Sequence, residues 1–222
     1  MTPVEVPGDD AALRDLPVSR PVLDVTPRYA GMKWDVVTET VELPDGQQVR
    51  RDVVVHPGAV GIVALDADDR VLMIRQYRHP VRAELWELPA GLLDEPGEDA
   101  LVAAQRELAE EAHLTASRWD VLVDVYSSPG MCGEAYRIYL AREIASVPED
   151  ERHERREEEA FLVPRWVPLD DAVAAVLAGE VHNAMAVVGV LAAHRARAEH
   201  WTTLRAGTST WPERPDRWRP GQ

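Results

Sequence analysis

The stretch that decides the fold is Gly91–Leu114, GLLDEPGEDALVAAQRELAEEAHL. Its start, Gly91–Gly97, has the composition of a loop. Residues Asp99–Ala112 are predicted to form a helix, because Leu101, Ala104, Leu108 and Ala112 fall on one apolar stripe. Glu107, Glu110 and Glu111 stand at relative positions 0, +3 and +4 on that helix. With about 3.6 residues per turn they share one flank beside the stripe. Three neighbouring carboxylates repel one another at neutral pH and cost stability unless cations neutralise them. Oxygen-only donors at this density suit hard cations such as Mg²⁺ or Mn²⁺. By itself an acidic helix flank is more often a solvated surface, so the loop ahead of it carries the decision.

Outward from this stretch, strands dominate. Towards the N-terminus, Leu85–Leu88, Val71–Tyr77 and the small, apolar Gly58–Leu65 read as strands, with an acidic turn at Asp66–Arg70. Further back, Lys33–Glu42 and Gln48–His56 flank Pro44-Asp45-Gly46, a turn signal, and predict a β-hairpin. Towards the C-terminus, strands are expected at Val121–Tyr126, Ala135–Arg142 and Phe161–Val167, and helices at Asp170–Ala178 and Val181–Glu199. The expected organisation is a flexible lead-in (1–20), an N-terminal β module (21–57), a main domain (58–199) and a C-terminal tail (200–222). The tail reads as disordered or as packed across a partner subunit. Strands followed by single helices imply an α/β (α+β) domain, a mixed sheet with helices on both faces.

Of 222 residues, 39 are acidic and 24 are Lys or Arg, for a formal charge of −15. Such a chain repels nucleic acid in the absence of a basic patch, but takes an anionic small molecule if metal ions intervene. Cys132 is the single cysteine, so an intramolecular disulfide is excluded. The first twenty residues lack an apolar signal-peptide core, and no run of about 18 apolar residues suggests a membrane span. The expected location is cytoplasmic.

With the loop included, Gly91–Leu114 resembles the signature of the Nudix hydrolases. That signature is Gly, five residues, Glu, seven residues, then Arg-Glu-apolar-x-Glu-Glu-x-Gly-apolar. Here Gly91, Glu98 and Arg106-Glu107-Leu108-Ala109-Glu110-Glu111-Ala112-His113-Leu114 match it. Two departures stand out: six residues separate Gly91 from Glu98, and His113 replaces the last glycine. The first falls in a loop, where insertions are tolerated. The second needs a residue able to adopt the left-handed region, which histidine visits at some cost. The resemblance implies a Nudix α/β/α sandwich. It also implies a metal set of Glu107, Glu110, Glu111 and the Ala90 carbonyl, binding Mg²⁺ with Mn²⁺ as the alternative. Gly91, Glu98 and Arg106 would hold the shape of loop and helix.

Trp86-Glu87-Leu88-Pro89-Ala90-Gly91, Gln76-Tyr77-Arg78, Pro129 fifteen residues beyond Leu114, and Asn183 after Gly179-Glu180 resemble the ADP-ribose pyrophosphatase branch. That branch implies hydrolysis of ADP-ribose to AMP and ribose 5-phosphate, in a homodimer whose N-terminal hairpin completes the partner's site. Arg78 and Arg51 become candidate phosphate or ribose contacts. Trp34 becomes a candidate adenine stack, or else a core or interface tryptophan. Gly130 and Glu134, after Ser128-Pro129, complete the expected substrate contacts. The general base is expected in the charged stretch Ser146–Glu159: Glu159 first, Glu158 in reserve, with Glu110 completing the catalytic set. Alternatives are another nucleotide sugar, NADH or a dinucleoside polyphosphate as substrate, or a sensor that binds ADP-ribose without cutting it.

Overall fold

The computed structural model describes residues 13–155 and 160–215. Three strands come first: β1 (Val22–Ala30), β2 (Asp35–Glu42) and β3 (Gln48–Val55), an antiparallel sheet in that order. The expected hairpin is β2–β3, with Gly46 at φ 82° in its turn. β1 is an addition to it. Its sequence hid it, because Pro27 interrupts the run and apolar residues do not alternate with polar ones. Proline is tolerated here because β1 is an edge strand and its register shifts between Pro27 and Tyr29.

The chain continues through β4 (Ala59–Ala64), β5 (Arg70–Arg78), β6 (Ala83–Glu87), β7 (Ala90–Leu92) and helix α1 (Ala100–Ala112). Then come β8 (Leu114–Tyr126), β9 (Ala135–Ser146), β10 (Val163–Pro168), α2 (Leu169–Leu177), α3 (Ala184–Ala198) and the two-residue β11 (Arg205–Ala206). The main sheet runs β11-β8-β9-β4-β7, with β4 and β9 parallel and the other pairs antiparallel. A second sheet runs β10-β5-β6. β8 begins directly after α1 and β9 reaches Ser146, both longer than expected, because polar, exposed residues such as Ser117, Arg118 and Glu143 interrupt the apolar pattern of their outer halves.

All six β4 residues are buried, as a strand covered on both faces requires. Val60, Ile62 and Ala64 face a core that α1 closes with Ala103, Ala104 and Leu108. Ala59, Val63 and Leu65 face a second core that α3 closes with Val190 and Ala193. Each fully buried Val, Ile or Leu contributes about 1.5–3 kcal/mol. Gly189 lets α3 approach closely: a Cβ there would lie 2.6 Å from Leu88 Cδ1 and 3.2 Å from Val63 Cγ2. The result is the expected α/β/α sandwich with a mixed sheet. Among the described residues no helix is long and apolar enough to cross a membrane.

Helix α1 is capped at both ends. The Asp99 carboxylate accepts the Leu101 N–H at 2.8 Å. At the other end His113 adopts φ 54° and ψ 39°, the left-handed cap the sequence demanded of it, and its N–H donates to Ala109 O at 3.1 Å. The His113 carbonyl accepts the Val147 N–H at 2.9 Å, tying the end of α1 to the end of β9. Replacing Asp99 with Ala should lower stability by about 1 kcal/mol, read as a reduced urea midpoint at unchanged m; an unchanged midpoint would remove the cap from the argument.

Candidate active site

A cleft of about 650 Å³ opens between the N-terminal sheet and the main domain. Its floor is the β6–β7 junction and the acidic flank of α1: Leu88, Ala90, Gly91, Glu107 and Glu111. One wall carries Gln76, Arg78 and Glu87, another Lys33, Trp34 and His56, and a third Ser127 and Glu134. The start of α3 closes the far end with Asn183 and Met185. Asn183 also caps that helix, accepting the Ala186 N–H at 2.9 Å.

On the floor, the largely buried Glu111 accepts the Ala90 N–H at 2.9 Å. Ala90 pairs with Gly61 of β4, so this strand edge is held from both sides. Glu107 lies against Gly91 so closely that a Cβ at Gly91 would fall 2.1 Å from the Glu107 carboxyl carbon. A side chain there would displace the Glu107 carboxylate, which is the steric meaning of the first residue of the motif. Arg106 joins loop to helix. Its Nε and Nη2 donate to the two Glu98 carboxylate oxygens at 3.0 and 3.1 Å, and its Nη1 donates to Glu107 at 2.7 Å and Glu110 at 3.0 Å. The Glu98 hydrogen bonds, then the charge of Glu107 and the hydrogen bonds to Glu107 and Glu110, hold the guanidinium above its ordinary pKa against the effect of burial.

Four carboxylates against one guanidinium leave a deficit of positive charge. Among the described residues no three acidic, His or Cys side chains form a ready-made metal cage. The reason is visible: Arg106 draws Glu107 and Glu110, and the Ala90 N–H draws Glu111. The side-chain donors available are nevertheless all oxygen, the Glu107 and Glu111 carboxylates, with the backbone of Ala90 on the same floor. That chemistry fits a hard divalent cation in an open site that waters and ligand oxygens complete.

The walls hold groups the sequence reading gave no role. Glu87, nearly fully buried, accepts Arg78 Nε at 2.9 Å and Nη2 at 2.7 Å, and Gln76 Nε2 at 3.3 Å. It holds the Arg78 guanidinium at the cleft wall. His56 stacks on Trp34 with centroids 5.2 Å apart and 23° between planes. Its Nδ1 accepts the Gly58 N–H at 3.1 Å, so neutral His56 carries its proton on Nε2, which faces Glu134 at 3.5 Å. Glu134 in turn accepts the Ser127 hydroxyl at 2.5 Å. His56 closes an apolar strand and belongs to no spaced motif, so nothing in the sequence marked it.

Two expected contacts stay apart from this group. Arg51 sits on β3 opposite Glu39, its guanidinium turned back to the Arg50 carbonyl at 2.9 Å, outside the cleft lining. Strand alternation decides its face, and a one-residue reading of the Arg50-Arg51 pair does not reveal it. Gly130 also lies off the lining, in a turn where an added Cβ would meet no atom within 4 Å. Glu158 and Glu159 lie outside the described residues.

Burial holds the His56 pKa below its ordinary 6.5, against an upward pull from Glu134. The folded state therefore binds fewer protons near that pH than the unfolded chain, and stability falls as pH drops through about 6.5 and below. His113 is shifted the same way, chiefly by burial. His56→Gln should make the loss of unfolding free energy between about pH 7.5 and 5.5 shallower. Equal losses in mutant and wild type would refute the shift.

Comparison with known proteins accords with this geometry. A model of the NUDIX domain matches residues 55–188, from the last residue of β3 into α3. The chain is 44% identical over 187 residues to the ADP-ribose pyrophosphatase of Mycobacterium tuberculosis, covering 84% of this chain and 88% of that protein. It is 37% identical over 156 residues to the ADP-ribose pyrophosphatase of Bacillus subtilis, covering 70% and 82%. A crystal structure of an ADP compounds hydrolase shares the fold, with TM-score 0.69 and 20% identity over 84% of this chain and 98% of that one. Because the matched segment contains the floor of the cleft, its glutamates and Arg106, the chain belongs to the NUDIX domain family.

Proposed function

We propose that this Nudix hydrolase cleaves the pyrophosphate of ADP-ribose to AMP and ribose 5-phosphate, with Mg²⁺ as its cation. The observation that carries the reading is the cleft floor: the Glu107 and Glu111 carboxylates, gathered at Gly91 and Ala90 where Arg106 alone does not balance their charge. The names of the two pyrophosphatase relatives support the choice of substrate. Nudix hydrolases use divalent cations. A cation held by Glu107, Glu111 and the Ala90 carbonyl, with Glu110 assisting, would neutralise the linked phosphates and lower the pKa of the attacking water.

The protein's own groups do the rest. Arg78, whose Nε and Nη2 are held by Glu87, brings a guanidinium to the cleft wall, a group suited to a phosphate or ribose oxygen. Trp34 has one face on His56 and is about half exposed, which suits stacking against adenine. Glu134, tethered by Ser127, offers a carboxylate to a sugar hydroxyl. Glu159 is assigned as the base, with Glu158 in reserve. Its support is that the preceding segment reaches α1, where Arg155 Nε donates to the Glu110 carbonyl at 3.3 Å.

The N-terminal sheet supports a homodimer. Val22, Leu23, Val25 and Tyr29 of β1 are exposed apolar residues that a second copy would cover. Arg51, turned away from its own cleft, would then serve the partner's. A reducing cytoplasm suits a chain whose one cysteine, Cys132, is free.

A substrate panel with Mg²⁺ should show ADP-ribose turned over faster than NADH, GDP-mannose or a dinucleoside polyphosphate. Preference for any of those would overturn the substrate, and binding of ADP-ribose without turnover would favour a sensor. Glu107→Gln should fold and bind ligand yet lose more than about 100-fold in kcat/KM. Gly91→Ala should also fold, since the atom it strikes ends a flexible side chain, but displacing Glu107 should cost roughly 10- to 100-fold in kcat. Full turnover by either variant would refute the assignment of the cleft floor. Light scattering of the pure protein should give a dimeric mass, and a monomeric one would remove the shared site.

A further inference from the structure

The C-terminal stretch does not hang free of the domain. After α3 the chain reverses at His200 and Trp201, both at positive φ, and Trp201 lies on Arg142 at 4.8 Å. β11 then pairs with β8, and Arg205 meets Asp124 at 2.8 Å. Gly207 is buried against β8, where a Cβ would fall 2.8 Å from the Trp119 carbonyl.

Beyond this comes an anchor. Arg137 of β9 is only 1% exposed. A buried guanidinium is costly unless its donors are met. Asp124 takes Nε at 2.7 Å and Nη2 at 3.0 Å. The carbonyls of Ser209 and Thr210 take Nη1 at 2.6 Å and Nη2 at 3.1 Å, and the Trp211 ring covers the cation at 5.0 Å. Lifting this segment away would uncover a buried charge, so residues 209–211 are held where they lie.

Three residues later the chain touches the acidic site. Arg214 Nη2 donates to the Glu98 carbonyl at 2.8 Å, and Pro215 rests against Gly58 at the start of β4. Glu98 is therefore held twice, its backbone by Arg214 and its carboxylate by Arg106. It closes a loop with six residues after Gly91, one more than the Nudix signature has, and Gly97 before it sits at φ 80°. An added residue next to a glycine gives that loop extra conformers. A fixed point at the Glu98 carbonyl removes them.

We propose that Arg214 is a positioning residue for the cation site, pinning Glu98 so that Arg106 sets the Glu107 and Glu110 carboxylates. The proposal rests on the reading of Glu107 and Glu111 as cation ligands. The experiment is a titration of the full-length protein with Mn²⁺, followed by electron paramagnetic resonance, alongside Mg²⁺ activation of ADP-ribose hydrolysis. Arg214→Ala should weaken Mn²⁺ binding by about 5- to 10-fold and raise the Mg²⁺ needed for half-maximal rate in step, with the KM for ADP-ribose at saturating Mg²⁺ unchanged. Arg214→Met, which keeps the side-chain bulk, should behave alike. Arg214→Lys, which keeps a donor, should recover part of the loss. Glu213→Ala, one residue away, should match wild type. Mn²⁺ affinity within twofold of wild type in both Arg214→Ala and Arg214→Met would overturn the proposal. A wild-type protein that takes up no Mn²⁺ would overturn the cation site itself, and the proposal with it.

Discussion

The Arg106 guanidinium is the interaction around which the acidic site is built. It spans a loop residue, Glu98, and two residues of its own helix, Glu107 and Glu110. Without a shared cation these carboxylates would push the loop from the helix, and α1 would lose the surface against which Gly91 and β7 pack. The charge balance remains negative even so. An arrangement that is stable yet short of positive charge is ready for a divalent cation together with a polyanion, where either alone would be poorly accommodated.

The sandwich supplies rigidity for that arrangement. β4 is covered on both faces, and β7, which carries Ala90 and Gly91, is hydrogen-bonded to it. The backbone at the cleft floor is thus an extension of the best-packed strand in the molecule. The walls are more lightly built. The N-terminal sheet reaches the main domain through the Lys33–Asp94 ion pair, largely exposed, and through backbone bonds between Val54 and the turn at Met131 and Gly133. Exposed ion pairs contribute little and are screened by salt. The floor is accordingly fixed, while the wall bearing Trp34 and His56 is held by few contacts.

What the sequence disclosed follows the same division. The floor was legible because its requirements are local: a helical repeat, four typed acidic positions, an arginine and a glycine at a fixed spacing. Even the substitution of His113 for glycine could be judged from backbone sterics, and the residue does adopt the left-handed cap. The walls were less legible because they are assembled from distant segments. His56 meets Glu134 only because β3 and the 127–134 turn lie side by side, and Glu87 acts on Arg78 through strand pairing. β1 escaped notice because an edge strand open to solvent carries no buried–exposed alternation. The tail left disorder and packing across a partner both open, because what holds residues 209–211 is Arg137, a cation whose burial no local pattern announces.

The cap at His113 has one more effect. Its carbonyl moors Val147, and one turn back the Glu110 carbonyl moors Arg155. Residues 147–155, which leave β9, are therefore fastened at two points to the C-terminal turn of the same helix that carries the carboxylates. A small tilt of α1 therefore carries residues 147–155 along with the Glu107 and Glu111 carboxylates instead of pulling the two apart.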